Sequence, residues 1–163
     1  MLKKLCVIAA LSLTSLNVMA QELLDTSGDW RVFAIQQDGK KICYLASSPA
    51  KSKGSFKKRG DAYFLVTHKS AKQDEVSASS GFPYKEGTDV HVTINGNKKF
   101  RLFTQGDLSW ARDSTQDNSI VQELKKAGTL MVRGTSKLGT YAEDTYSLKG
   151  FSKALEQMKA ACK

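Results

Sequence analysis

Three cysteines constrain this chain more than any other feature, and the first of them, Cys6, lies in a segment with the form of a cleavable leader. Lys3 and Lys4 make a short basic start, residues 5–13 are mostly apolar, and Val18-Met19-Ala20 offers small or tolerated residues at the cleavage positions. The expected cut falls between Ala20 and Gln21. The apolar stretch is well short of the ~20 residues that a membrane-spanning helix needs. The alternative is a disordered or packed N-terminal segment. Cys6 stands at the head of the apolar stretch rather than at its end, so it leaves with the leader, and its position does not suit a lipoprotein anchor.

Cleavage leaves 143 of the 163 residues and two cysteines, Cys43 and Cys162, 119 positions apart. Two cysteines in an oxidising compartment are expected to pair; two free thiols are the alternative. A crosslink closing so long a loop is worth ~5 kcal/mol in the chain-entropy view. The leader takes two of the 25 basic residues and none of the 16 acidic ones, so the remainder carries +7.

A chain of this length suits one domain, over residues 21–163, which buries roughly 68% of its unfolded surface. No repeat and no Pro/Gly/Ser-rich linker divides it. Strand patterns dominate. Residues 30–35 place Trp30, Val32 and Ala34 on one side and Phe33 and Ile35 on the other. A turn at 37–40 leads to a returning strand at 42–46. Residues 63–67 form a near-continuous apolar run, expected to be a strand buried on both faces. Residues 89–95 turn Val90, Val92 and Ile94 inward and His91 outward, and Asn95-Gly96 is a strong hairpin signal before a partner strand at 100–103. Segments 108–111, 129–133 and 140–147 complete the list. So many short strands at this spacing predict a mainly β chain, a sandwich or a barrel, with two short helices.

The first helix is expected over 119–127, with Ser119 and Gln122 at capping-box spacing and Gly128 as the stop. The second is expected over 149–161. Phe151, Leu155, Met158 and Cys162 recur at helical spacing on one face, which puts Cys162 on the buried stripe. Its pairing with Cys43 would fasten the C-terminal helix to an early strand.

No catalytic constellation stands out. His68 and His91 lack ligand-spaced partners, and paired cysteines leave no thiolate, so neither a metal nor a cofactor is expected. His91 reads as a solvated strand residue; His68 ends an apolar strand, either as a structural residue or as a site residue. Residues 150–154 only echo a serine elbow and lie inside a helical pattern. Residues 134–140 have phosphate-loop glycine spacing, but Thr140 stands where the lysine should be. Asp74/Glu75 and Glu143/Asp144 are neighbours on strands or loops and point to opposite faces, unlike a paired acid and base. The most distinctive surface feature is a cluster of Lys51, Lys53, Lys57, Lys58 and Arg59 within nine residues that contain no acid. It reads as a mobile loop, a candidate site for lipid phosphates, lipopolysaccharide or acidic glycans, or simply a solvated segment. No aromatic stacking platform interleaves the lysines, so nucleic acid is not expected as a partner.

Asp144-Thr145-Tyr146-Ser147-Leu148-Lys149-Gly150-Phe151-Ser152-Lys153-Ala154-Leu155, with Cys162 seven residues on, resembles the C-terminal signature of the invasion-associated locus B family. Asp29-Trp30, Ile42-Cys43-Tyr44, Tyr63-Phe64-Leu65-Val66, Gly128-Thr129-Leu130-Met131-Val132 and Gly139 fit the family pattern in order. The resemblance implies a β-sandwich envelope protein of a Gram-negative bacterium, periplasmic, outer-membrane-associated or secreted, in a family named for host-cell invasion. It implies no catalytic residues, and it carries over Cys43 and Cys162 as a structural pair. The expectation is therefore a non-enzymatic protein that interacts with an envelope or host protein or glycan. A binding module for an anionic ligand or membrane surface using residues 51–59 is the alternative, and an unrecognised hydrolase a third.

Overall fold

The computed structural model describes residues 21–71 and 73–162. The expected leader, with Cys6 and Ala20, lies outside the described residues, while Gln21 is an exposed residue just ahead of the first strand. Eleven strands follow: β1 (Glu22–Ser27), β2 (Trp30–Gln37), β3 (Lys40–Ser47), β4 (Lys51–Gly54), β5 (Tyr63–Ser70), β6 (Gln73–Ser79), β7 (Val90–Ile94), β8 (Lys98–Gln105), β9 (Leu108–Trp110), β10 (Thr129–Thr135) and β11 (Tyr141–Ser147). Helix α1 (Ser114–Leu124) separates β9 from β10, and α2 (Phe151–Ala161) ends the chain.

All strands pair antiparallel in one continuous sheet of order β1-β2-β3-β5-β6-β9-β8-β7-β10-β11-β4. Strand β8 turns the corner: Lys98 to Leu102 pair with β7, and Phe103 to Gln105 pair with β9. The two halves thereby face each other as a sandwich. Phe64 of β5 meets Tyr146 of β11 edge-on with ring centroids 6.1 Å apart, and Trp30 of β2 donates its indole N–H to the Ser147 carbonyl at 3.0 Å. Inward positions alternate as a period-two pattern requires: Trp30, Val32 and Ala34 are buried, as are Val90, Val92 and Ile94, while His91 is exposed. The turn at Asn95-Gly96 takes positive φ at both residues, 47° and 75°, which matches the right-handed twist of the β7–β8 hairpin.

Helix α2 buries Phe151, Ala154, Leu155 and Met158, one stripe at helical spacing. Phe151 packs edge-on against Trp30 at 4.9 Å. Just past the helix end, Cys162 forms the disulfide to Cys43 of β3, with Cα atoms 5.9 Å apart. The chain enters α2 through Gly150, whose backbone lies against Ser27 and Gly28 of the β1–β2 turn, and Asp29 N–H donates to the Lys149 carbonyl at 3.0 Å.

Several expectations need correction. Helix α1 begins five residues earlier than the apolar pattern suggested. Asp113 is the N-cap, accepting from Gln116 N–H, and Gln116 reaches back to the Arg112 N–H. Ser119 sits inside the helix and bonds the Thr115 carbonyl. Segment 51–59 is not wholly a loop, because Lys51–Gly54 forms edge strand β4 against β11. Lysines on an edge strand discourage pairing with other chains. Strand β5 is buried on one face only: Phe64 and Val66 are inside, whereas Tyr63, Leu65 and Thr67 are half-buried on the other side.

Candidate functional site

That other side is concave. An antiparallel sheet with one face on the core usually turns polar residues to solvent on the other. Here the outward positions of β2, β3 and β5 carry Phe33, Ile35, Ile42, Tyr44, Tyr63 and Leu65, all half-buried. They floor a groove of about 910 Å3. Register sets the floor in rows. Phe33, Tyr44, Thr67 and Glu75 lie side by side across four strands, and Arg31, Ala46, Leu65 and Ser77 form the next row. The rings of Phe33 and Tyr44 stack with centroids 5.4 Å apart. Burial pushes the Tyr44 and Tyr63 phenols up from their ordinary value. Ser47 to Pro49 and Arg59 to Ala62 close one end of the groove.

The five cations expected to act as one patch separate into three settings. Lys51 and Lys53 are exposed on β4, and Lys53 pairs with Glu143 at 2.8 Å, holding that carboxyl below its usual range. Lys57 and Lys58 are exposed and directly precede the end wall of the groove. Arg59 instead turns inward to Asp144, which is fully buried. Its guanidinium grips both carboxylate oxygens at 2.5 and 2.6 Å and also donates to Ser52 Oγ and the Ser80 carbonyl. The Asp144 hydrogen bond raises the Arg59 pKa further, so Arg59 is a fixed strut. It anchors the segment carrying Lys57 and Lys58 to β11.

His91 is exposed on β7, between Arg101 and Arg133 in register, with no carboxylate opposite it. His68 has a different setting. It shares the inward parity of Phe64 and Val66, and lies level with Cys43 on β3 and Asp74 on β6. Its Nδ1 is 2.8 Å from Asp74 Oδ1, and Lys159 Nζ of α2 is 2.7 Å from Asp74 Oδ2. The carboxylate neighbours Glu143 and Asp144 do point to opposite faces, as do Asp74 and Glu75. Among the described residues no group of three His, Cys, Asp or Glu side chains is placed to hold a metal ion. No described helix is long and apolar enough to cross a membrane.

The groove was half-legible. Bulky residues on both faces of β2 and β5 were apparent in the sequence, but a second apolar face signals equally a buried strand or an open binding surface. The Arg59–Asp144 and His68–Asp74–Lys159 clusters had no sequence signal, since the first joins a loop to a strand and the second joins two strands to a helix.

A crystal structure of invasion associated protein b from Bartonella henselae matches with a TM-score of 0.63 at 19% identity, over 86% of this chain and 97% of that one. At that identity the likeness speaks for the fold. No curated protein sequence matches. A family model described as invasion associated locus B (IalB) protein matches residues 30–159, from the first core tryptophan into the last turn of α2. With that span and the shared fold, the chain belongs to the invasion associated locus B family.

Proposed function

We propose that the protein is exported to the bacterial envelope and acts there by binding rather than by catalysis, holding an anionic amphiphile of the envelope in the groove over β2, β3 and β5. The observation that carries this reading is the apolar floor of Phe33, Ile35, Ile42, Tyr44 and Leu65 on an open concave face, with Lys57 and Lys58 beside its end wall. A groove of this size is in the range that small-molecule sites occupy, and a mostly apolar lining with a few polar groups is their usual chemistry. The apolar floor matches an acyl portion, and Lys57 and Lys58, with no carboxylate partner among the described residues, match a negative head group. Export is supported by the leader pattern of residues 1–20 and by a disulfide that belongs to an oxidising compartment.

The test is binding of residues 21–163, disulfide intact, to lipopolysaccharide and to neutral phosphatidylcholine vesicles in ~0.1 M salt, where surface charge is felt over ~10 Å. Lipopolysaccharide should be preferred. Phe33→Ser with Tyr44→Ser, and separately Lys57→Gln with Lys58→Gln, should each weaken binding by about tenfold, one step of ~1.4 kcal/mol. Binding that survives the Phe33/Tyr44 change intact would remove the groove from the account. Export is tested by the N-terminus of the protein in the periplasmic fraction, expected at Gln21; full-length protein confined to the cytosol refutes it.

A second reading, favoured by the family's name, is a role in association with host cells. A deletion strain should then lose host-cell entry and regain it with the wild-type gene, and normal entry would exclude that role.

A further inference from the structure

A second concavity, of about 450 Å3, opens beside the disulfide, where the β5–β6 hairpin meets the end of α2. Lys41, His68, Lys69, Lys159 and Cys162 line it. It is distinct from the groove in its chemistry and in the side of β5 that supplies its histidine. Phe64, Val66 and His68 share one parity, and the groove residues Tyr63, Leu65 and Thr67 share the other.

The histidine is oriented with care. Asp74 is almost wholly buried, and both its oxygens are engaged, one by His68 Nδ1 and one by Lys159 Nζ. A buried carboxylate needs such partners, so the cluster also serves stability. Two features go beyond that role. With Nδ1 held, Nε2 has no hydrogen-bond partner among the described residues, on a ring that lines the cavity with its side chain 7% exposed. Lys41, two residues before Cys43 on the neighbouring strand β3, is exposed and has no carboxylate partner among the described residues. Lys69 is engaged elsewhere, by Glu75 at 3.4 Å. Among the described residues the lining thus carries three lysines, two of them paired with carboxylates, Lys69 with Glu75 and Lys159 with Asp74.

We propose that this cavity is a binding site for a phosphate-type oxyanion, with Lys41 and Lys159 as its donors, joined by His68 Nε2 when the ring carries both protons, and Asp74 as the residue that positions the imidazole. Lysine suits phosphate as a point charge with rotatable donors, and an imidazole fixed at one nitrogen offers the other in a defined direction. The Lys159 ammonium balances the Asp74 charge through one N–H and keeps two more for the ligand. The same oxyanion chemistry occurs in free phosphate and in phosphomonoester head groups of envelope lipids.

The chain has only two histidines, His68 and His91, so ring-nitrogen NMR reads the site directly and supplies its own control. The disulfide-bonded chain 21–163 is titrated with inorganic phosphate at fixed pH, with chloride balancing ionic strength. The expected result is a saturable shift of the His68 ring signals while His91 stays in place. Lys41→Gln, at an exposed position that leaves the core intact, should weaken the phosphate response by about tenfold. Phe33→Ser should leave it unchanged, which separates this site from the groove. Vesicles of phosphatidic acid in phosphatidylcholine, set against phosphatidylcholine alone, identify the source. A His68 shift with both phosphate and phosphatidic acid assigns a lipid head group, and a shift with phosphate alone assigns the free anion. Parallel, non-saturating movement of both histidines, or a Lys41→Gln variant that responds like the parent, overturns the proposal.

Discussion

Replacing Cys162 by serine tests how the sandwich is held closed. The bond spans 119 positions and ties the end of α2 to β3. Nothing else in α2 depends on it: Phe151, Ala154, Leu155 and Met158 remain buried against the sheet without the sulfur. The helix should therefore stay docked in the variant, and the change should lie in the unfolded chain, which gains the freedom that the closed loop denied it. The loop-closure relation for this separation gives about 5 kcal/mol. At roughly 3 °C per kcal/mol for a chain of this size, the melting temperature should fall by roughly 15 °C. In urea, with an m-value of ~2 kcal/mol per molar, the midpoint should fall by about 2.5 M. The m-value itself should rise, because an unfolded chain without the crosslink exposes more surface. Parent proteins near the lower end of the usual ~5–15 kcal/mol would be largely unfolded without the bond, recorded as loss of the native baseline. The assay is urea denaturation of chain 21–163 under oxidising conditions, followed by near- and far-ultraviolet circular dichroism, with the reduced parent as a second route to the same state. An unchanged midpoint refutes the reasoning. Loss of helical signal at an unchanged global midpoint would also refute it, since the bond would then only prevent fraying of α2.

Removing one partner of the Arg59–Asp144 pair strands a buried charge. Asp144→Leu alone should cost about 3–5 kcal/mol, while Arg59→Met with Asp144→Leu should recover most of that loss; denaturation of the single and double variants decides it. Gly28 has φ of 58°, and a Cβ there would stand 2.2 Å from the Lys149 carbonyl oxygen. Gly28→Ala should therefore destabilise well beyond Gly96→Ala, which has positive φ but open space and should cost ~1 kcal/mol. Equal melting temperatures for the two would contradict the close approach. Burial raises the phenol pKa of Tyr44, Tyr63, Tyr84 and Tyr146. The folded chain then keeps protons that the unfolded chain releases above pH ~10, so stability falls as pH rises through that region. Ultraviolet titration should show fewer phenols ionising near pH 10 in the native chain than in urea, and coincident curves would contradict it.

Legibility in the sequence followed the range over which the determining contacts act. Strand β2 and the β7–β8 hairpin were legible because alternation and Asn95-Gly96 are local signals. The stripe on α2, and with it Cys162, was legible because a helical face repeats within a dozen residues. Strand β4 was not: Lys51-Ser52-Lys53-Gly54 has no apolar residue, and pairing with β11, some 90 positions on, makes it a strand. The start of α1 was hidden because its first turns are polar. Its hold on the sheet comes from the buried Asp117, which accepts the Val76 N–H at 2.8 Å. Arg59 resembled its lysine neighbours in sequence and differs from them only through Asp144, 85 positions away. The groove lay between these extremes, since its apolar residues were plain but their openness to solvent depends on nothing packing over β2, β3 and β5.

The central claim is that this open face is the binding surface. Methyl and aromatic NMR of residues 21–163 titrated with lipopolysaccharide tests it most directly. The account predicts saturable shifts at Phe33, Ile35, Ile42, Tyr44 and Leu65, with Leu138, exposed on the β10–β11 turn, unmoved. Saturable binding that leaves those five residues unshifted would contradict it.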